Sequence, residues 1–97
     1  MIVYDGKTLA IKNTILYFYT NWMPMHVKMF NFLNSLHEFS YNIIVIDCES
    51  FPDMRKANNI KIFPTFVFYK EKKVKKELKG LQSQTTLLST IKEIYEI

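Results

Sequence analysis

Ninety-seven residues with twelve Lys, one Arg and nine acidic side chains make a short basic chain of net charge +4, enough for one domain and not two. A hydrophobic content of 48% with 15% aromatics excludes intrinsic disorder. No apolar run approaches the ~20 residues a membrane span needs, and a single cysteine, Cys48, excludes an internal disulfide framework.

The lone thiol and the absence of a signal-peptide layout before Ile2-Val3-Tyr4 point to the cytoplasm or an equivalent reducing compartment. Membership of a viral or other assembly fits the abundance of Lys, Asn, Ile, Phe and Tyr, whose codons are A/T-rich; that bias carries no chemistry. Arg55 is the only arginine. Phosphates and base edges are read best by the arginine fork, so nucleic acid is not the expected partner.

Ile2-Val3-Tyr4 predicts a short strand, and Asp5-Gly6 a tight turn, so Ile2 to Ile11 is expected to form a hairpin. Ile15 to Thr20 is almost wholly apolar, as in a strand buried on both faces. Pro24 to Phe39 predicts a helix, with Pro24 in its first turn and Val27, Phe30, Leu33 and Leu36 on its inner face. His37 lies late in that helix, and no function is assigned to it. Ile43 to Asp47 predicts a second buried strand. Pro52 to Asn59 predicts a short helix ended by Asn58-Asn59.

Thr65 to Tyr69 is a third strand, started by Pro64. Glu71 to Lys73 is a turn, and Val74 to Lys79 a charged edge strand broken by Gly80. Ser83 caps a last helix whose inner face holds Leu87, Leu88, Ile91, Ile94 and Tyr95. Strands joined through helices pair in parallel and strands joined by a tight turn pair antiparallel. The expected fold is therefore α/β, a mixed sheet with helices on both faces, forming one domain over 1–97.

From Ile15 onward this order resembles the thioredoxin family. Trp22 precedes four residues where the family has Cys-Gly-Pro-Cys, followed by a helix. Asp47 ends a buried strand. Phe63-Pro64-Thr65 is similar to the family's cis-proline segment, Gly80 lies sixteen residues beyond that proline, and Ser83 three further on. No gap is needed between Trp22 and Ser83. Residues 1–14 diverge: they are too short for the family's first helix, so a hairpin or loop takes its place.

The departures decide the functional reading. Met23 and His26 occupy the two cysteine positions, and disulfide exchange requires a thiolate to attack sulfur. The family's buried Asp, five positions before the Trp, is Tyr17 here, and its neighbouring Lys is Val45. Asn31 replaces the proline that kinks the family's helix. A chance loss of cysteine would not have changed these supporting residues as well.

The expected role is a non-catalytic protein-interaction module or structural subunit, with no catalytic residues, no metal, no cofactor and no small-molecule substrate. Its expected surface is the family's client-facing patch: Trp22, Met23, Pro24, Met25, His26, Phe63, Pro64, Gly80 and Leu81. Two alternatives belong to another class. One is residual redox chemistry through Cys48, and the other a Cu(I) site from Met23, Met25 and His26, with Met29, since thioethers and imidazole suit that ion. Lys70 to Lys79 carries six Lys and two Glu. Such an edge discourages sheet-to-sheet association, or contacts an acidic protein or nucleic acid, although no aromatics interleave the lysines for base stacking.

Overall fold

The computed structural model describes every residue except Thr8, Leu9, Pro24, His37 and Phe39. Its element order is β1 (Ile2–Val3), β2 (Thr14–Tyr19), α1 (His26–Asn34), β3 (Asn42–Asp47), α2 (Pro52–Ala57), β4 (Thr65–Lys70), β5 (Lys73–Lys79) and α3 (Gln84–Tyr95). The strands form one sheet in the order β1-β3-β2-β4-β5. β3 pairs in parallel with β1 and β2, while β4 pairs antiparallel with β2 and β5.

β2 is central, and every one of its residues is buried. Successive side chains of a strand point to opposite faces, and β2 feeds two cores. Ile15, Tyr17 and Tyr19 join Ile43, Val45, Phe66 and Phe68 beneath Leu33 of α1 and Leu87, Ile91, Ile94 and Tyr95 of α3. Leu16 and Phe18 join Ile44, Ile46, Val67 and Ile60 on the other side, where Phe51 and Met54 bring α2 against the sheet. This two-sided burial is what the unbroken apolar run encodes.

Local signals end the elements. The Ser83 hydroxyl accepts the Thr86 N–H at 3.0 Å and caps α3. At the other end of α3, the Tyr95 hydroxyl donates to the Tyr69 carbonyl at 2.8 Å. Asn58 donates its side-chain amide to the Met54 carbonyl at 2.9 Å and Asn59 takes a positive φ, so this pair does end α2.

Several expectations are refined. In the N-terminal segment Ile2 and Val3 pair in parallel with Ile44 and Val45, and the Tyr4 N–H continues the ladder to the Val45 carbonyl, while Thr8 and Leu9, on the return arm of the expected hairpin, lie outside the described residues. Gly6 has a φ of +92° and lies against the Phe51 ring, where a Cβ would come within 3.2 Å of it. Gly6 thus brings the chain against Phe51 at the start of α2. The long helix is also shorter than expected, because Met25 adopts φ +71° and α1 starts only at His26; Pro24, His37 and Phe39 fall outside the described residues. Within it Val27 is 67% exposed, since the inner stripe runs through His26, Phe30 and Leu33. Finally, the β4–β5 turn is only Glu71-Lys72, both at positive φ, with Lys73 already in β5. Leu88 likewise faces outward, while Thr90 is buried on α3.

Candidate functional site

The site lies where β2 leaves the sheet and α1 begins. The Met23 N–H donates to the Thr20 carbonyl at 3.2 Å, and the His26 N–H donates to the Met23 carbonyl at 3.4 Å. The segment thus turns tightly at the end of β2. Met23, on the position of the first cysteine, is only 9% exposed and belongs to the core under α1 and α3. Of the expected surface patch, Met23 is thus a core residue. Trp22, by contrast, is 68% exposed.

His26, on the second position, is partly buried. Its ring stacks on Tyr19, with centroids 4.9 Å apart and planes within 7°, and meets Phe30 edge-on at 4.5 Å. The stack continues inward. Tyr19 lies parallel to Tyr17 at 5.4 Å, and Tyr17 stacks on Phe66 at 4.8 Å. Phe30 closes the column edge-on to both tyrosines. Where the related family keeps a buried acid, this chain has a four-ring stack running from the helix start into the core. Burial is the main reason the Tyr17 hydroxyl holds its proton far more tightly than a free phenol, with the neighbouring Tyr19 adding to it. The Tyr19 hydroxyl is shifted the same way, by burial first and then by Asp47 and Cys48. Val45 stands directly opposite Tyr17 in the β2–β3 register and is fully buried. Neither position carries the carboxylate or the amine that the family places there.

The sequence reading missed this column. The i, i+2 alternation of Tyr17 and Tyr19 and the i, i+4 spacing of His26 and Phe30 were its visible traces. That the two patterns meet depends on how α1 sits on β2.

Cys48 lies on the opposite face of the sheet, in the core beneath α2. Its backbone N–H donates to the Tyr19 carbonyl at 2.9 Å. Burial, with Asp47 adding to it, pushes its thiol up to about 11, against smaller opposing effects of Arg55 and of the Tyr19 backbone on the sulfur. At neutral pH roughly one molecule in 10⁴ would carry the thiolate that attacks disulfides.

The cis-proline expectation holds: the Phe63–Pro64 bond is cis. Thr65 donates its hydroxyl to the Ile62 carbonyl at 2.6 Å, fixing the loop, and the Gly80 N–H donates to the Pro64 carbonyl at 2.7 Å. Pro64 itself is buried and Phe63 half-buried, packed against both cores. Gly80 has a φ of +86°, a conformation that favours glycine, and it directs the chain into Leu81, which is 69% exposed.

Met25 and Leu81 come together. A groove of about 570 Å³ runs between the start of α1 and the segment entering α3, lined by Met25, Lys28, Met29, Leu81, Gln82, Ser83 and Gln84. Met25 is 52% exposed. Of the expected patch, Met25 and Leu81 line this groove, Trp22 is exposed outside its lining, Gly80 is partly buried beside Pro64, and Met23 and Pro64 are buried. Pro24 lies outside the described residues. The proposed copper donors are divided between settings, Met23 in the core and Met25 over the groove. Among the described residues no three His, Cys, Asp or Glu side chains gather as a metal site. No helix among them is long and apolar enough to cross a membrane.

The chain matches the family model for thioredoxin over residues 4–93. No curated protein matches it by sequence. Its fold is similar to a mutant thioredoxin from Halobacterium salinarum, at 21% identity and a TM-score of 0.77, over 87% of this chain and 75% of that one. It is also similar to oxidised thioredoxin O2 from Arabidopsis thaliana, at 18% identity and the same TM-score of 0.77, over 87% and 76% of the two chains. Mitochondrial thioredoxin 3 from Saccharomyces cerevisiae superposes with a TM-score of 0.73 at 24% identity, over 84% and 78%. At these identities the likeness establishes the fold.

Proposed function

This chain belongs to the thioredoxin family, and we propose that it is a redox-silent member serving as a docking module or structural subunit of a larger assembly. With one cysteine in the chain, no internal dithiol can form. The relay positions hold Tyr17 and Val45, and the one thiol is buried on the far face of the sheet.

The observation that carries a docking role is Met25. It is held in the left-handed conformation at φ +71°, with no side-chain cap on α1, and its apolar side chain is half exposed over the groove. A non-glycine side chain in that conformation costs about 1–2 kcal/mol. Exposing a thioether to water gains nothing in the isolated chain. Both costs are explained if a partner covers Met25 and Leu81, because Met is a soft side chain suited to adaptable contacts.

The test uses two variants in a pull-down from the native source. Met25→Asp places a charge in the groove that an apolar contact cannot easily desolvate, yet Asp tolerates positive φ and suits a helix N-terminus. It is expected to keep its circular dichroism and melting temperature and to lose the partner. Lys73→Glu, on β5, is expected to retain it. Loss of the partner in Lys73→Glu alone would place the interface on the lysine edge and overturn this reading.

A further inference from the structure

We propose that the groove between α1 and the α3 entry accepts an extended partner segment in which an apolar side chain stands beside one or more carboxylates, an inference that rests on the docking role proposed above. Met25, Met29 and Leu81 supply the apolar lining, and Gln82, Ser83 and Gln84 are neutral. Lys28 is the one charged side chain lining the groove, and no acidic residue lines it. The groove also opens where two helices begin. Neither α1 nor α3 has an acidic residue in its first turn, and α1 has no side-chain cap. Helix starts carry unpaired N–H groups and a partial positive charge. Ser83 caps α3, but α1 has neither a cap nor an acid to offset that charge, and Lys28 adds to it, within a chain of net charge +4. A cationic segment is repelled and a neutral apolar one gains only burial. An acidic-apolar segment gains both burial and charge pairing.

The lysine-rich strand β5 would also attract acids, without any apolar requirement. The experiment therefore titrates the isotope-labelled full chain at low ionic strength with four ten-residue peptides, reading amide shifts by NMR. The first carries a Leu-Phe pair flanked by Asp and Glu. The second replaces the acids with Asn and Gln, the third replaces them with Lys, and the fourth keeps the acids but has Ser for Leu-Phe. The first is expected to move the amides of Met25, Lys28, Met29 and Leu81 and to bind about fivefold more tightly than the second, the size of one exposed ion pair with help from a helix terminus. The third is expected to bind more weakly still, and Lys28→Glu to abolish the preference. Equal or tighter binding of the second or third peptide in the groove would overturn the charge preference and leave the docking role standing. Shifts confined to β5, with the fourth peptide as effective as the first, would overturn the acidic groove in favour of the lysine edge. Absence of groove shifts with every peptide would overturn both this inference and the docking role.

Discussion

Tyr17 stands where the family has its buried acid. Its ring is fully buried between Tyr19 and Phe66 and faces Val45 across the ladder. An Asp placed there would be buried without a cation, so Tyr17→Asp is expected to destabilise the chain by at least ~3 kcal/mol, read as a fall in the urea midpoint. Restoring the cysteines is a separate matter. The bond from the His26 N–H to the Met23 carbonyl keeps the two positions in one turn. Met23→Cys with His26→Cys is therefore expected to form a disulfide under mild oxidation, while exchange stays slow because Tyr17 and Val45 move no proton. Brisk insulin reduction by that double variant would show that the relay positions do not matter. Met25 permits a third substitution. Met25→Gly relieves the positive φ and is expected to raise stability by up to ~1 kcal/mol while weakening partner capture. Gly and Asp would then agree on binding and differ on stability, which ties the strain at Met25 to docking.

Among the elements, the β4–β5 turn is the least favourable by local chemistry. Glu71 and Lys72 both adopt positive φ, the conformations that favour Asn-Gly in two-residue hairpins. The turn is held from outside: the Glu71 N–H donates to the Asn13 side chain at 2.8 Å and the Lys72 N–H to the Lys12 carbonyl at 3.1 Å. Glu71→Asn with Lys72→Gly is expected to add about 1 kcal/mol, seen as a higher urea midpoint with an unchanged slope. This turn also marks the boundary of what could be read from the chain. β2, β3 and β4 were legible because burial on both faces leaves an unbroken apolar run, and α3 because Ser83 and the Leu87–Ile91–Ile94 spacing agree. The parallel pairing of β1 with β3 was not legible from Asp5-Gly6. A turn dipeptide reports only local preference, whereas pairing Ile2 and Val3 with β3 extends the parallel sheet by a strand. Which residues of the expected patch reach the surface was only partly legible, for a similar reason. Burial of Met23 and the meeting of Met25 with Leu81 depend on the packing of three distant segments, and no spacing rule encodes that.

At the scale of the whole molecule the buried phenols and the thiol act together. Tyr17, Tyr19, Tyr41 and Tyr95 all have hydroxyls shifted up, burial being the leading cause in each. Cys48 is raised from 9.0 to about 11. A group that holds its proton more tightly when folded contributes its full stability below its unfolded value, and loses it as the pH rises through its folded value. For Cys48 that loss runs from pH 9 to about pH 11, and the phenols begin theirs near their ordinary value of 10.0 and extend it upward. Melting temperature is therefore expected to be insensitive to pH between neutrality and about pH 8.5, and to fall increasingly above pH 9. Cys48→Ala is expected to flatten the early part of that fall without removing the later part. Tyr95→Phe acts later, and it also lowers the neutral-pH baseline by about 1 kcal/mol, because the bond from its hydroxyl to the Tyr69 carbonyl is lost. Thermal melts of the three proteins from pH 7 to pH 11 in one buffer series separate these contributions. A wild-type profile that stays level to pH 11 would mean that these groups titrate in the folded chain much as they do in the unfolded one, and a fall near pH 9.5 that is unchanged in Cys48→Ala would mean that the buried thiol beneath α2 contributes nothing to it.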